Sequence, residues 1–455
     1  MTIVSINPAN EQVNKEFEPI TPDQALEICK SVKEAFYKWK DTNIDDRTAL
    51  LRRFGTVLEG KKAEYARLMG IEMGRTYTQA LAEIDTCIKI CNYFTDNSKT
   101  WLQDEAIKTE YAKSYVCFEP LGVVLAIMPW NYPFTQVIRC AAPALAAGNV
   151  VVLKHSNVVP MCAVALEEAF KAAGFPDKVF RTIITTHTAL PKLIKSKYID
   201  AISLTGGTDA GKAVAKLAAS NIKKVVLELG GSNAFVVLAD ADVELAAKKA
   251  VETRIASTGQ SCSASKRFIV VPEVADEFSR RVVEITKSLV VGDQLDPKTQ
   301  IGPLANNEQL QKLDEQVKDA IAKGAELECG GIRVGNKGFI YQPTVLTGVK
   351  KNMKVMKEEV FGPVIPIIKV RNEEEAIKLA NSTDYGLGAS IWTRDVKRGE
   401  EIAKKMESGM ACVNRGANSD FRMPFGGVKK SGIGREFSRF SLFEFVNIKT
   451  VIVSS

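Results

Sequence analysis

Residues 121–153 read LGVVLAIMPWNYPFTQVIRCAAPALAAGNVVVL. Val123 to Met128 is a continuous apolar run closed by Pro129, and Asn149 to Leu153 is a second. The stretch between them reads as a helix starting at Asn131. Strands apolar on both faces, alternating with helices, belong to a parallel sheet covered on both sides. The pattern continues outward. Cys162 to Ala173 is a helix ended by Gly174-Phe175-Pro176, and Ile183-Ile184, Ala201–Leu204 and Lys224–Leu227 are further strands. A second α/β series follows a boundary near Gly230-Gly231. It comprises strand 235–238, helix 242–258, strand 268–271, helix 274–289, a helix around 307–323, strand 364–369 and helix 373–381. Upstream, residues 22–40 carry apolar side chains at helical spacing, Asp45 caps a helix near Arg47, and 45–110 is largely helical. The tail, 445–453, alternates like a strand, and a terminal strand of this kind often pairs with another sheet edge, including one in a second subunit.

The chain has 455 residues, 45% hydrophobic and 25% charged, the composition of a soluble globular protein with two or three domains. Its net charge of +7, from 61 basic and 54 acidic residues, is too small and too evenly spread to indicate a nucleic-acid partner. Nine cysteines, odd in number and without a CxxC, fit a reducing compartment rather than a disulfide framework. Residues 1–20 lack a signal-peptide pattern, and the longest apolar run, 121–129, is too short for a membrane span, so a cytoplasmic location is expected. Only two histidines are present, His155 and His187. A histidine zinc site or a Ser-His-Asp triad is therefore not expected, and no metal is.

Several short stretches carry candidate chemistry, each with a plainer alternative. LTGGTDAG at 204–211 ends a strand, opens a glycine turn and starts a helix. That arrangement suits a phosphate, or is simply a helix cap. GGIRVG at 330–335 follows a helix and makes a turn rather than a dinucleotide loop. PWNYP at 129–133 lies at the C-terminal end of a strand, where ligand crevices open, and holds Asn131 in a stiff turn; the alternative is a rigid loop. LELGG at 227–231 places Glu228 among apolar neighbours, where a carboxyl of raised pKa can act as a base, or else marks a surface acid at a strand end. EVFGP at 359–363 reads by itself as a turn. GQSC at 259–262 holds Cys262 among small polar residues, and a thiol is the best side-chain nucleophile at neutral pH.

In combination the chain resembles the aldehyde dehydrogenase superfamily over essentially its whole length. The matching elements, in order, are PWNYP at 129–133, Lys154, TGGT at 205–208, LELGG at 227–231, GQSC at 259–262, EVFGP at 359–363 and PFGGVKKSGIGRE at 424–436. The resemblance implies two doubly wound α/β domains. One is a Rossmann-like dinucleotide-binding domain (1–105 and 121–230) and the other a catalytic domain (231–430). A small β oligomerisation arm (106–120 and 431–455) would make a homodimer or homotetramer. It implies that Cys262 attacks the aldehyde, that Asn131 and the Cys262 N–H form the oxyanion hole, and that Glu228 activates the water that hydrolyses the thioester. Lys154 and Glu359 are implied as ribose ligands, with Phe361 beside the nicotinamide ribose. Trp130, Thr205, Gly206, Gly207 and Leu229 would belong to the cofactor wall and pyrophosphate turn.

The local details are most similar to the succinate-semialdehyde dehydrogenase branch: KHSNV at 154–158, the stretch 131–139, and SDFR at 419–422. Arg139, eight residues or about two helical turns beyond Asn131, would offer its guanidinium to the far carboxylate, with Gln136 on the same side. A surface ion pair is the plainer role for it. Where a well-known member of the branch carries a second carboxylate-binding arginine, six residues before the nucleophile, this chain has Ala256, and the nearest arginine is Arg254. Ser419 or Arg422 would then contribute to the clamp. Ala264 stands where the same member has a redox-switch cysteine. Asn157, where NAD-preferring relatives carry an acid, leaves room for a 2′-phosphate held by Lys154 and Ser156. NADP is therefore expected, with NAD as a second acceptor. The alternatives are a dehydrogenase of another aliphatic, amino or hydroxy aldehyde, or a non-catalytic structural member of the fold.

Overall fold

The computed structural model describes residues 2–454. The first sheet has six strands, in the order Gly432–Ile433, Lys224–Glu228, Ala201–Thr205, Val123–Met128, Val150–His155 and Phe180–Thr182. The last five run parallel, and the C-terminal pair Gly432–Ile433 joins antiparallel beside Leu227 and Glu228. Val123–Ala126 and Val150–Leu153 are fully buried, which is why they read as unbroken apolar runs. The chain lays down Val123–Met128 first and proceeds to Val150–His155 and Phe180–Thr182 on one side. It then returns to Ala201–Thr205 on the other. Strand order therefore reverses between Val123–Met128 and Ala201–Thr205, and a crevice opens at their C-terminal ends.

The second sheet has seven strands, in the order Glu326–Cys329, Thr344–Thr347, Val364–Lys369, Ser265–Val270, Asn233–Val237, Gly388–Trp392 and Met410–Val413. All neighbours are parallel except the first pair. Only Leu229–Ser232 separates Lys224–Glu228 from Asn233–Val237. The C-terminal ends of the first sheet therefore abut the N-terminal ends of the second. Two separate apolar cores result, one built mainly from residues 25–229 and one from 234–406. A third sheet pairs Val446–Val453 with Lys113–Pro120 and Glu105–Ala106. The segment 434–445 packs on the first core through Phe437, Leu442 and Phe445.

Several element boundaries shift by one to three residues from the sequence reading, among them strand 268–271, which runs Ser265–Val270, and three elements differ besides. The helix expected from Asn131 begins at Thr135, because Glu83 Oε1 accepts the N–H groups of Phe134 and Thr135 and so caps it there. The helix expected over 242–258 stops at Ile255, because Ser257 and Thr258 take left-handed backbone angles (φ 53° and 55°). The strand expected at Ile183-Ile184 lies instead at Phe180–Thr182. No helix of the described residues is long and apolar enough to cross a membrane, and these residues hold no cluster of metal-ligating side chains.

Candidate active site

Two clefts meet at Cys262, on the seam between the sheets. One, of about 730 Å³, is lined by Trp130, Asn131, Thr205, Gly206, Gly207, Leu229, Glu359 and Phe361. The other, of about 1270 Å³, is lined by Gln136, Arg139, Ala256, Ser419, Phe425 and Phe437 among others. Only one residue, Cys262, is common to both linings. The cysteine sits there because its loop immediately precedes strand Ser265–Val270, at the end of the second sheet that faces the crevice of the first.

The Cys262 loop is held firmly. A β-branched residue at positive φ is a strained arrangement, and Thr258 is one. Gly259 (φ 76°) lies so close to the Gly362 carbonyl that no side chain would fit, and Gly362 N–H donates to Gly259 O at 3.1 Å. Gln260 Oε1 accepts Ala305 N–H at 2.9 Å, and its carbonyl accepts Asn131 Nδ2 at 2.9 Å. The Asn131 amide is thus tethered to the residue two before the cysteine, with its carboxamide beside the thiol. Arg75 braces the opposite side: it donates to Asn131 O at 3.1 Å and Ser257 Oγ at 3.0 Å, stacks on Tyr132 and pairs with buried Glu83. Burial pushes the Cys262 thiol above its usual pKa, while the nearby cations Arg139 and Lys266 pull it down. Burial lifts the Cys87 thiol well above the ordinary value, with the charge of Glu83 adding to the shift, and burial also pushes up the Cys412 thiol.

Glu228 ends its strand with a buried carboxylate, and neither oxygen has a hydrogen-bond partner among the described residues. Burial, and then the charge of Glu436, raise its pKa well above the carboxylate range. The carboxylate lies against Gly426, outside both cleft linings. The outer wall of this acid cluster is Arg139, whose guanidinium pairs with Glu436 and donates to Thr205 Oγ1 at 3.1 Å. Arg139 is therefore neither at a helix surface nor two turns along its helix: it is buried on the second turn of Thr135–Ala146, in the wall between the two clefts. Its Nη1 has no acceptor among the described residues.

On the dinucleotide side, helix Thr208–Ala219 starts after Gly206-Gly207 with no side chain capping its N–H groups. A Cβ at Gly207 would meet nothing, so the turn is open to a phosphate. Lys154 is the penultimate residue of strand Val150–His155, two places along the sheet from Ala201–Thr205. Burial lowers its ammonium pKa to about 8, and among the described residues Asn157 Oδ1, at 3.0 Å, is its hydrogen-bond partner. A buried ammonium with unused donors, beside a neutral Asn157, fits a phosphorylated ribose. Ser156, Asn157 and Lys154 lie beyond the lining of the 730 Å³ cleft, further along the same strand ends. Glu359 is in that lining. Its Oε1 accepts Gly231 N–H at 2.9 Å and the Lys266 ammonium at 2.7 Å. His155 is structural: Ser156 N–H donates to Nδ1, so Nε2 carries the proton and donates to Pro133 O at 2.9 Å, bracing the 129–133 loop. Burial lowers its pKa to about 4.

Gln136 and Ser419 line the larger cleft, and Arg422 does not: it is exposed and paired with Asp420. Ala256 faces the cleft where an arginine would have projected. Arg254 cannot substitute, because its donors are taken by the carbonyls of Val360, Gly362, Val364 and Ser265. The sequence reading missed Lys266, Glu436, Arg75, Glu83, and the pair Gln309 and Lys312, which close the dinucleotide cleft from helix Asn307–Ala322. One signal was available for the first. Lys266 and Arg267 open a strand that is buried on both faces, where cations must find internal partners.

The model of the aldehyde dehydrogenase family matches residues 1–451. Over its full length the chain is 43% identical to the full-length probable succinate-semialdehyde dehydrogenase [NADP(+)] of Synechocystis sp.. It is 40% identical, again over the whole of both chains, to succinate-semialdehyde dehydrogenase [NADP(+)] 1 of Mycobacterium tuberculosis. The crystal structure of succinic semialdehyde dehydrogenase from Streptococcus pyogenes in complex with NADP+ superposes with a TM-score of 0.97 at 33% identity, covering 99% of this chain and 100% of that one.

Proposed function

The chain belongs to the aldehyde dehydrogenase family, and on that premise we propose that it oxidises succinate semialdehyde to succinate with NADP as the preferred acceptor. The observation that carries this reading is the position of Cys262, the one residue common to the two clefts. An aldehyde in the larger cleft would have access to the thiol, and the lining of the smaller cleft would hold a dinucleotide on the other side of the same residue. The names of the relatives and the NADP-bound neighbour support the substrate and cofactor.

In the proposed mechanism the Cys262 sulfur adds to the aldehyde carbonyl and its proton leaves to a base. The resulting oxyanion is held by Asn131 Nδ2 and the Cys262 N–H; such preorganised donors supply about 10²–10³ in rate each. NADP, when bound in the smaller cleft, would supply the hydride acceptor for the oxidation of this adduct to a thioester. Glu228 then swings from its place against Gly426 and takes a proton from water, which attacks the thioester and frees succinate and the thiol. A carboxylate of raised pKa is a stronger base than an ordinary one, which suits that step. The free Nη1 of Arg139, with Ser419 and Gln136, receives the far carboxylate. Lys154, Ser156 and Asn157 hold the phosphorylated ribose, Gly206-Gly207 the pyrophosphate, and Glu359, Gln309 and Lys312 the nicotinamide ribose side, with Trp130 and Phe361 as walls.

We also place the enzyme in the cytoplasm, since its nine cysteines are all free. We assign the strand Val446–Val453, with Ile448 and Ile452 exposed, to a contact between subunits of a homodimer or homotetramer. The test of function is a panel of aldehydes against NADP and NAD, followed at the NADPH absorbance band. Succinate semialdehyde with NADP should give the highest kcat/KM, and no signal with either acceptor across the panel would sink the reading. A second reading, an uncharged aliphatic aldehyde, draws on Ala256 and on the Glu436 partner of Arg139; a higher kcat/KM for butanal would favour it.

A further inference from the structure

Lys266 is a fully buried lysine four residues after the nucleophile, and its ammonium has three acceptors. They are the Gly231 carbonyl at 2.8 Å, the Cys262 carbonyl at 3.1 Å and Glu359 Oε1 at 2.7 Å. An ammonium has three protons, so this set satisfies it completely. The same ammonium lies 5.0 Å from the centre of the Phe361 ring. These contacts reach three separate segments: the link between the sheets, the nucleophile loop and the 359–363 turn.

We propose that Lys266 is a positioning residue that binds the cofactor-side carboxylate Glu359 and the nucleophile's backbone into one unit, so that cofactor affinity and Cys262 reactivity both depend on it. This rests on the reading of Glu359 as a ribose ligand given above. With Oε1 engaged by Lys266 and Gly231, the carboxylate is fixed with Oε2 lying over Gly230 in the wall of the dinucleotide cleft. Its orientation is set before the cofactor arrives. The hold on the Cys262 carbonyl fixes the peptide that directly follows the residue whose N–H and side chain face the aldehyde in the proposed reading. A positive charge this close also favours the thiolate. The groups acting on that thiol are Arg139 and Lys266, which lower its pKa, and Glu359 and Glu228, which raise it. A bulkier, forked arginine could not use the same three acceptors from within the buried slot.

The test compares wild type with Lys266→Met, and Glu359→Gln with the paired variant Lys266→Met/Glu359→Gln. The second comparison removes Lys266 without leaving Glu359 an unpaired buried-side charge, so it stands if the single variant fails to fold. The first readout is the pH dependence of iodoacetamide alkylation of Cys262 without cofactor. The second is NADP binding by fluorescence titration. Loss of a charge-assisted contact should weaken NADP binding about tenfold in Lys266→Met. In both comparisons the alkylation midpoint should move to higher pH, and addition of NADP should change the alkylation rate less than it does in the protein that retains Lys266. If a folded Lys266 variant keeps the reference alkylation midpoint, or if Lys266→Met binds NADP within twofold of wild type, the coupling is overturned. The alkylation readout needs no turnover, so failure of the proposed oxidation in the wild-type panel remains distinguishable from failure of this coupling.

Discussion

Replacing Glu228 by Gln should separate the two halves of the reaction and stabilise the protein at once. The carboxyl is buried, has no hydrogen-bond partner among the described residues, and has its pKa raised first by burial and then by Glu436. Gln keeps the shape and cannot take a proton from water. General-base assistance contributes about 10²–10⁴ in rate, so kcat should fall by that factor, equivalent to about 2.7–5.4 kcal/mol of barrier. Thiohemiacetal formation and oxidation do not need this base if another acceptor takes the thiol proton. Rapid mixing with NADP and succinate semialdehyde should then give one equivalent of NADPH per active site in a burst, followed by a slow steady state. The stability effect has the opposite sign. A carboxyl whose folded-state pKa lies above its unfolded value of about 4.5 adds stability below that value, and loses it as pH rises through the folded pKa. Gln has nothing to lose. The melting temperature of the variant relative to wild type should therefore rise with pH above about 4.5 and level off once the wild-type group is ionised. Unchanged steady-state turnover, or loss of the burst together with turnover, would refute the assignment of Glu228 to hydrolysis.

Asn131→Ala should lower kcat by about 10²–10³ while leaving NADP affinity unchanged, measured by steady-state kinetics beside a binding titration. Arg139→Met should raise KM for succinate semialdehyde and leave KM for butanal nearly unchanged. Because it strands Glu436 in the interior, it should also cost about 3–5 kcal/mol of stability, which Glu436→Gln in the same chain should largely restore in a denaturant melt. The Lys154 ammonium, with its pKa lowered to about 8, should make kcat/KM for NADP fall as pH rises through that value. With NAD no such limb should appear, and Lys154→Ala should erase the difference between the two profiles.

The features legible in the chain were those with local causes. An unbroken run such as Val123–Met128 reports burial on both faces, and Gly206-Gly207 between a strand and a helix reports an open helix end. Cys262 could be chosen among nine cysteines only through the ordered set of motifs around it, and the fold then puts those motifs on one seam. Partners distant in the chain were hidden. Arg139 looked like a free guanidinium on a helix because nothing near it in the chain announces Glu436. The role of Lys266 was hidden as well, since its acceptors come from Gly231, Cys262 and Glu359. The start of the helix at Thr135 was hidden for the same reason: its cap, Glu83, comes from another helix.

The acid cluster gives the missing second arginine a different meaning. Glu436 pairs with Arg139, while Glu228 feels the charges of Arg139 and Arg435 without a hydrogen bond to either, and both carboxyls have raised pKa values. A second cation projecting from position 256 would add positive charge to the cleft that Cys262 and Arg139 also line, and positive charge there favours the carboxylate form of Glu228. With Ala256 the balance tilts the other way. A substrate carboxylate drawn to Arg139 Nη1 offsets part of the charge that keeps Glu228 acidic, so the base strengthens as the substrate binds. On the proposed reading one arginine would do two things: anchor the far end of the substrate, and let that anchoring raise the pKa of the group proposed to activate water. The Glu436 pair, which by itself looks like a competitor for the substrate, is what keeps Arg139 in the wall between the clefts where both effects can act.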